Sequence, residues 1–250
     1  MKRQYGLIGY PLSHSFSKSY FLNKFEKENI NAEYINFPME NLVDIKSIAA
    51  KYPQLNGLNV TIPYKQEIIS QLDYINPIAE KIGAINTIKV YRKDNSIKLI
   101  GFNTDAPGFS DTLPKLNKNK SAIILGTGGA SLAVKFALKE KGINCIMVSR
   151  SKKKNCINYS QINKELLMSC ELIINTTPIG MSPNTNEKPK IPYTSLQPHN
   201  ILYDLIYNPK KTLFLKEGEQ RNCKTFNGLQ MLINQAELSY NIWTKEDLNY

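Results

Sequence analysis

Apolar residues in the first half of the chain form short runs, separated by segments in which they recur at helical spacing. The runs have the length of buried strands, whereas the intervening segments would bury one face of a helix. The predicted strands are Tyr5 to Ile8, Ala32 to Phe37, Gly57 to Ile62, Ala84 to Tyr91 and Ile97 to Gly101, and the predicted helices are Ser17 to Glu28 and Leu42 to Ala50. This alternation predicts an α/β fold.

A glycine-rich loop lies near the middle of the chain. Gly126-Thr127-Gly128-Gly129-Ala130 follow the apolar run Ala122 to Leu125 and open an amphipathic stretch that Gly142 can end, and Ile143 to Val148 has the pattern of the next strand. Glycine lets backbone N–H groups approach phosphate oxygens, and the positive end of a helix dipole favours the anion. The pattern predicts a dinucleotide site, the alternative being an ordinary strand-to-helix turn.

The residues after that second strand indicate which dinucleotide binds. A NAD site usually has Asp or Glu at this point to accept from the ribose hydroxyls, whereas this chain has Ser149-Arg150-Ser151. Arg150 can donate a forked pair of hydrogen bonds to a 2′-phosphate, and no carboxylate is present to repel that phosphate. We therefore predict NADP rather than NAD. Lys152 to Lys154 either extend this positive patch or belong to a solvated loop.

Two charged residues follow predicted strands in the first half. Lys65 comes just after Pro63, which suits the first turn of a helix. A cation at this positive helix end is disfavoured, which invites a functional explanation, although a surface lysine fits the pattern equally well. Asp105 follows Asn103-Thr104 and can cap a helix that begins there. Local pattern alone leaves both readings open for each residue.

Composition restricts the remaining possibilities. The 250 residues, 42% of them hydrophobic, suffice for one large or two small domains, and we expect a boundary within Asp105 to Asn119. The net charge of +11 raises the possibility of nucleic-acid binding, but the lysines are scattered without a nucleic-acid motif, so we expect none. The four cysteines form no C-x-x-C pair and only two histidines are present, so we predict no metal site.

The longest apolar runs have the length of strands, and Pro11 interrupts the amino-terminal one. We therefore expect no signal peptide, no membrane span and a cytoplasmic location. The sequence leaves open whether the protein is a monomer or a homodimer.

Distinctive motifs are spread over nearly the whole chain. They are Gly9-Tyr10-Pro11, His14-Ser15-Phe16-Ser17, Asn59 to Lys65, Gly83 to Thr87, Gly101 to Asp105, the loop at Gly126, Arg150, Asn175 to Met181, Asp204 to Pro209, and Asn227-Gly228 with Gln235. In this order they resemble the shikimate dehydrogenase family. The resemblance implies an N-terminal α/β substrate domain, residues 1–104 plus 227–250, and a Rossmann-like NADP-binding domain, residues 105–226, with a cleft between them. It also implies the reversible NADPH-dependent reduction of 3-dehydroshikimate to shikimate.

The same resemblance implies roles for individual residues. Lys65 and Asp105 match the catalytic pair. The residues matching substrate-binding positions are Ser15, Ser17, Thr61, Lys65, Asn86, Asp105, Tyr207 and Gln235. The residues matching cofactor-binding positions are Gly126, Thr127, Gly128, Gly129, Ala130, Ser149, Arg150, Ser151, Thr176 and Gly228. The two serines match positions that hold the substrate carboxylate.

These roles meet a chemical need. A hydride that arrives at a ketone carbon leaves a developing alkoxide, to which Lys65 can supply either a proton or an opposing charge, while Asp105 can hold a substrate hydroxyl. The chain departs from the usual family pattern at two positions: Lys18 stands where many relatives have proline, and Ser149 stands where an asparagine is usual. Neither departure removes a reacting group. Two alternatives remain: a quinate/shikimate dehydrogenase of broader specificity, and a non-catalytic nucleotide-binding regulatory protein of the same fold.

Overall fold

The polypeptide is organised around two β-sheets in the computed structural model, which describes residues 1–12, 15–94, 96–116 and 121–245. The first unit contains Met1–Thr104 and the chain from Ala236 onward, and the second contains Asp105–Gln235. The second unit begins at the residue where the predicted second domain begins, while the chain returns to the first unit at Ala236 instead of residue 227. His14 of the matching motifs, and Asn119 at the end of the expected boundary segment, lie outside the described residues.

The first unit is a mixed sheet flanked by helices. Its elements are β1 (Arg3–Gly9), α1 (Phe16–Lys27), β2 (Ala32–Pro38), α2 (Ile45–Lys51), β3 (Leu55–Val60), a 3₁₀ helix (Glu67–Gln71), β4 (Tyr74–Ile75), α3 (Pro77–Ile82), β5 (Thr87–Lys93) and β6 (Ser96–Phe102). The strand order is β2-β1-β3-β5-β6-β4. β1 is parallel to β2 and β3, and β5 is antiparallel to β3 and β6.

Both faces of this sheet are covered, because successive residues of a strand point to opposite sides. Tyr5 and Leu7 of β1 belong to an aromatic cluster with Phe21 of α1 and with Trp243. Ile8, also on β1, belongs to a separate cluster with Ile45 of α2. The buried strands of the predicted α/β fold therefore have a core on each side.

The second unit contains a parallel sheet. Its elements are α4 (Asp105–Ser110), β7 (Ser121–Leu125), α5 (Gly129–Glu140), β8 (Cys145–Ser149), β9 (Cys156–Asn158), a 3₁₀ helix (Tyr159–Gln161), α6 (Lys164–Ser169), β10 (Cys170–Asn175), a 3₁₀ helix (Tyr193–Ser195), β11 (Ile201–Asp204), α7 (Leu213–Glu219), β12 (Lys224–Phe226) and the start of α8 (Leu229–Thr244). The strand order β12-β11-β10-β7-β8-β9 is that of a doubly wound Rossmann sheet. The predicted α/β fold class with a Rossmann-like second domain is confirmed.

The structure differs from the sequence-based expectations at three places. α2 begins at Ile45, three residues after the predicted start, because the Asp44 side chain accepts from the N–H groups of Lys46 and Ser47 and so caps the helix there. The helix expected from Pro63 is a turn followed by a 3₁₀ helix. The Lys65 carbonyl accepts from Ile85 N at 2.7 Å, and Ile69 N, which would be its partner in an α-helix, bonds to the Gln66 carbonyl.

The third difference is α3, which hydrophobic periodicity alone did not predict. Its signals are local: Asn76 caps the helix through Ile78 N, Pro77 occupies the first turn, and Gly83 ends it in the left-handed region with φ of 74°. Among the helices that the structure describes, none is long and apolar enough to cross a membrane.

Candidate active site

The candidate residues of the first unit lie at one edge of its sheet. β1 and β3 are parallel with Ile8 opposite Val60, so the loops that follow them leave the sheet at the same edge. The first loop leads to Ser15 and Ser17, and the second carries Thr61 and Lys65. Asn86 directly precedes β5, which runs antiparallel to β3, so Asn86 lies at this edge as well. The fold therefore brings these predicted residues to one place.

The start of α1 has features that suit an anion. Ser15 is the N-cap residue, but its hydroxyl makes no capping bond, and no acidic residue lies in the first turn. Ser15 Oγ is buried and has no hydrogen-bond partner among the described residues. A buried hydroxyl that lacks a partner carries a desolvation cost, which a ligand oxygen or carboxylate can offset. The positive end of the helix dipole favours an anionic ligand at the same point.

Ser17, two residues further on, is bonded differently. Burial raises the pKa of the Tyr34 phenol well above its ordinary value, and a hydrogen bond from the Ser17 hydroxyl opposes that rise. Tyr34 in turn donates to Asn59 Oδ1 at 2.8 Å. The two predicted carboxylate-binding serines are therefore not equivalent, because only Ser17 is supported by a buried protein group.

Lys65 lies in an anchored turn. The preceding residue, Tyr64, is buried and donates from its hydroxyl to the Met39 carbonyl at 2.6 Å. The Lys65 carbonyl is held by Ile85 N, next to Asn86 in sequence, while the side chain is half-buried. The backbone on both sides of the lysine is therefore fixed, which restricts where its ammonium group can reach.

The Asn86 amide is held at both ends. Its Nδ2 donates to Thr104 Oγ1 at 2.8 Å, and its Oδ1 accepts from Thr104 N at 2.7 Å and from Thr87 Oγ1 at 3.2 Å. An asparagine amide has two donor hydrogens and one acceptor oxygen, so these bonds fix which end points where. Thr104 is the residue that immediately precedes Asp105.

The second unit positions Asp105, Gln235 and Tyr207. Asp105 is the first residue of α4 and is only 5% exposed. A Cβ at Gly108 would lie 3.1 Å from Gln235 Cβ, so the absence of a side chain lets α4 approach α8 closely beside Gln235. Tyr207 is half-buried in the loop after β11. The predicted catalytic pair is divided, with Lys65 in the first unit and Asp105 in the second.

The glycine loop follows the central strand β7 and leads into α5. Gly126 has a φ of 120°, and a Cβ there would lie 2.6 Å from Thr176 Oγ1. Gly128, the N-cap of α5, has an ordinary φ of −85°, and a Cβ there would meet nothing within 4 Å. No acidic residue occupies the first turn of α5. The loop is therefore closely constrained at Gly126 and open at Gly128, where the helix N-terminus suits a phosphate.

Two predicted cofactor positions have structural roles of their own. The Thr176 hydroxyl donates to the Leu125 carbonyl at 2.7 Å and bonds to Ser131, so it braces the end of β7. A Cβ at Gly228 would lie 1.9 Å from the Leu205 carbonyl oxygen, so only glycine fits there. Thr127, Gly129 and Ala130 lie in the loop and first turn of α5, as their sequence positions predict.

The residues after β8 form a basic end to this site. Ser149 is buried, and its hydroxyl accepts from Ser151 N at 3.3 Å, so it shapes the turn. Arg150 is exposed at the end of the strand, and its carbonyl accepts from Asn158 Nδ2 at 3.2 Å. The Nζ of Lys153 lies 3.5 Å from the Thr127 carbonyl, which brings one lysine of the basic run to the glycine loop.

Sequence reasoning gave no role to Asp204, although it lies in one of the matching motifs. Asp204 is fully buried at the end of β11, and burial raises the pKa of its carboxyl to about 7. Its oxygens accept from Thr212 Oγ1 at 2.6 Å, Asn175 Nδ2 at 3.0 Å and Ile206 N at 3.0 Å. It therefore ties the end of β10 to the loop that carries Tyr207.

Comparison with known proteins identifies the family. A family model described as the shikimate dehydrogenase substrate binding domain matches residues 7–88. The shikimate dehydrogenase (NADP(+)) of Caldanaerobacter subterraneus subsp. tengcongensis is 38% identical to this chain, over 97% of the chain and 91% of its own length. A crystal structure of a shikimate dehydrogenase in complex with NADP+ has a TM-score of 0.82 at 35% identity, and the match covers 97% of this chain and 90% of that one.

A second solved structure gives the same result. The shikimate 5-dehydrogenase from Thermus thermophilus, in complex with NADP(H) and shikimate, has a TM-score of 0.80 at 29% identity, and the match covers 97% of this chain and 93% of that one. The sequence similarity extends over both units, because the matched relatives cover nearly the whole chain. The chain therefore belongs to the shikimate dehydrogenase family.

Proposed function

We propose that this protein is an NADP-dependent oxidoreductase that reversibly reduces 3-dehydroshikimate to shikimate. The observation that carries the proposal is the near full-length similarity to shikimate dehydrogenases (NADP(+)), at 38% identity to one relative. Every residue predicted for catalysis and substrate binding is present, and those in the first unit lie at one sheet edge.

The substrate carboxylate binds at the start of α1. Ser15 supplies a buried hydroxyl without a protein partner among the described residues, Ser17 supplies a supported one, and the helix dipole adds a favourable potential. The ring hydroxyls bind Thr61, Asn86, Asp105, Tyr207 and Gln235, whose amides, hydroxyls and carboxylate form a set suited to a polyol.

Lys65 and Asp105 carry the reaction. The hydride comes from NADPH when it is bound, and the carbonyl oxygen then gains negative charge. The Lys65 ammonium stabilises this oxygen and donates a proton to it, and Asp105 accepts from a neighbouring substrate hydroxyl and so orients the ring. In the direction of shikimate oxidation the same lysine receives the proton.

The second unit fits a dinucleotide phosphate. The open space at Gly128 and the bare N-terminus of α5 suit the pyrophosphate, and Arg150 with the lysines that follow suits a 2′-phosphate. The remaining predicted residues, Thr127, Gly129, Ala130, Ser149, Ser151, Thr176 and Gly228, shape or line this end of the sheet. A cytoplasmic location, and a monomer or homodimer without nucleic-acid partners, complete the proposal.

A single assay tests the function. Purified protein is mixed with shikimate and NADP at alkaline pH, and NADPH formation is followed by its absorbance, with quinate and NAD in parallel reactions. We expect the highest kcat/KM for shikimate with NADP. A higher kcat/KM for quinate would replace the substrate assignment, and a protein that binds NADP without turnover of either acid would be a non-catalytic member of the fold.

A further inference from the structure

A cyclic set of hydrogen bonds connects α8 to the substrate edge of the first sheet. We call it the polar ring, and its members are Ser239, Thr87, Asn86 and Thr104. Ser239 Oγ lies 2.7 Å from Thr87 Oγ1 and 3.1 Å from Thr104 Oγ1, and the Asn86 amide bonds to both threonines. All four residues are buried. The ring therefore joins residues of β5, the end of β6 and the carboxy-terminal helix.

The four side chains of the ring contact one another closely. Thr87 donates to Asn86 Oδ1 at 3.2 Å, and Asn86 Nδ2 donates to Thr104 Oγ1 at 2.8 Å. Thr87 Oγ1 and Thr104 Oγ1 also lie 3.2 Å apart, and either hydroxyl can donate in that pair and in each contact with Ser239. Neighbouring hydrogen bonds in such a buried network strengthen one another.

Ser239 is also the point where a second chain of bonds enters. Asn59 Nδ2 donates to Ser239 Oγ at 2.9 Å, Tyr34 donates to Asn59 Oδ1 at 2.8 Å, and Ser17 donates to Tyr34. Ser239 Oγ therefore lies within hydrogen-bond distance of Asn59, Thr104 and Thr87. This one hydroxyl links the Ser17 and Asn86 parts of the predicted substrate site.

Packing alone does not explain why a serine occupies position 239 of α8. Ala236 and Trp243 lie on the same helix face at i−3 and i+4, and both are buried and apolar. Burying a hydroxyl in that stripe costs free energy unless all its hydrogen bonds are made, whereas an alanine would carry no such cost. The reason for a serine at this position therefore lies in the groups to which its hydroxyl is hydrogen-bonded.

We propose that Ser239 is a positioning residue of the substrate site, which fixes the Asn86 amide through the polar ring and the Ser17 hydroxyl through Asn59 and Tyr34. The inference rests on the proposed function for the identity of the substrate. Ser239 itself acts only through these neighbours.

Steady-state kinetics of Ser239→Ala tests the proposal. We expect the KM for shikimate to rise about 5- to 50-fold, the scale of losing one buried hydrogen bond, while kcat and the KM for NADP change less than about threefold. Thr244→Val is the matched control, because the Thr244 hydroxyl bonds mainly to the Tyr240 carbonyl of its own helix, and it should leave each constant unchanged. Ile45→Val, in the core away from the ring, controls for lowered stability.

A double-mutant cycle separates positioning from general loosening. If Ser239 acts on substrate chiefly through Asn86, Ser239→Ala should raise the KM far less in an Asn86→Ala background than in the wild type. Thr87→Val, which breaks the ring from the strand side, should reproduce the KM effect and replaces Ser239→Ala in every measurement if that variant does not fold. Equal KM ratios in both backgrounds, or a KM effect no larger than that of Ile45→Val, would overturn the proposal.

Crystal structures of the wild type and of Ser239→Ala, both without substrate, test the positioning role of Ser239 separately from the proposed function. We expect the Asn86 amide to turn away from Thr104 in the variant. An amide in the same orientation would overturn the positioning role whatever the substrate is. A wild-type protein inactive towards shikimate would instead refute the proposed function, and the two structures would still decide whether Ser239 fixes the amide.

Discussion

The two units prepare their candidate sites by different physical means. In the first unit the site consists of side chains, and other side chains hold some of them, as the polar ring holds Asn86. In the second unit the site depends on backbone N–H groups and on the absence of side chains, as at Gly126, Gly128 and Gly228. A polyol acid offers many directional hydroxyls, whereas a pyrophosphate offers charge, and the two solutions match these ligands.

The difference also determines what each unit tolerates. A side-chain site can be disturbed from a distance, since Ser239 lies on a helix remote in sequence from β5. A backbone site is sensitive to any added atom where the chain approaches itself closely, and insensitive where space is open. Substitutions in the side-chain site and in the backbone site should therefore separate effects on turnover, on stability and on the binding of each ligand.

The largest effect is expected in the side-chain site. Lys65→Ala should lower kcat by about 10²- to 10⁴-fold, the usual scale for a positioned acid/base group, with a smaller change in KM. Lys46→Ala is the control, because that exposed lysine pairs with Asp73 on the protein surface. Near-normal turnover of Lys65→Ala in the absorbance assay would contradict the catalytic assignment.

The units should also differ in how their buried networks respond to pH. The polar ring has no ionisable member, whereas the second unit buries Asp204, with a pKa of about 7 against an ordinary 3.8. Because the folded-state value is the higher one, its contribution to stability is complete below about pH 4 and is lost as the pH rises to about 7. The loss is about 4 kcal/mol, from about three pKa units at about 1.36 kcal/mol each.

Asp204→Asn should remove this dependence while keeping the volume of the side chain. Urea unfolding followed by circular dichroism at pH 4 to 8 gives the free energy of unfolding of both proteins. The wild-type value should fall relative to that of the variant across this range, and curves that stay parallel would refute the raised pKa. Trp243, the chain's one tryptophan, lies in the first unit and reports its unfolding separately by fluorescence.

Arg150→Ala tests the basic end of the backbone site. A charge-assisted hydrogen bond of about 1.5–3 kcal/mol corresponds to about 10- to 150-fold in affinity, so NADP binding should weaken by that factor. NAD lacks the phosphate and should bind almost as before, which makes it the internal control in calorimetric titrations. Equal losses of affinity for both cofactors would mean that Arg150 supports the loop and does not bind the 2′-phosphate.

Gly126 and Gly128 of the loop provide a matched pair. Gly126→Ala forces a side chain into a φ of 120° beside Thr176 and should cost about 1–3 kcal/mol of stability. Gly128→Ala adds a methyl group in open space and should leave stability within about 0.5 kcal/mol, yet weaken NADP binding where the phosphate approaches. Thermal melts and NADP titrations measure both, and unchanged NADP affinity in Gly128→Ala would place the pyrophosphate elsewhere.

The smallest expected effect separates the two serines at α1. Ser15→Ala removes a hydroxyl with no described protein partner, so the melting temperature should hold or rise, while shikimate binding weakens by about tenfold, or about 1.4 kcal/mol. Ser17→Ala also breaks the bond to Tyr34 and should lower both stability and shikimate affinity. A loss of NADP affinity alone, in either variant, would mean that the serines serve the cofactor.

Much of the second unit could be predicted from local sequence. The loop at Gly126, the helix stop at Gly142 with φ of 71°, and the strand before Arg150 all lie where the pattern places them. Glycine requirements and strand-length apolar runs are encoded at adjacent positions, so a short window is enough. The helix expected at Pro63 was wrong because a non-local bond, from Ile85 N to the Lys65 carbonyl, decides the conformation there.

The sequence by itself determined the family, the α/β class and which residues are candidates for each ligand, because motifs and backbone requirements are written in neighbouring residues. Only the tertiary structure decided how those candidates are supported. Thr87 and Ser239 meet although 152 positions separate them, and Asp204 finds its partners on β10 and beyond its own strand. A buried polar group must form its hydrogen bonds with a donor or acceptor that lies nearby in space. Such a partner can be anywhere in the sequence, so this requirement produces no periodic pattern along the chain.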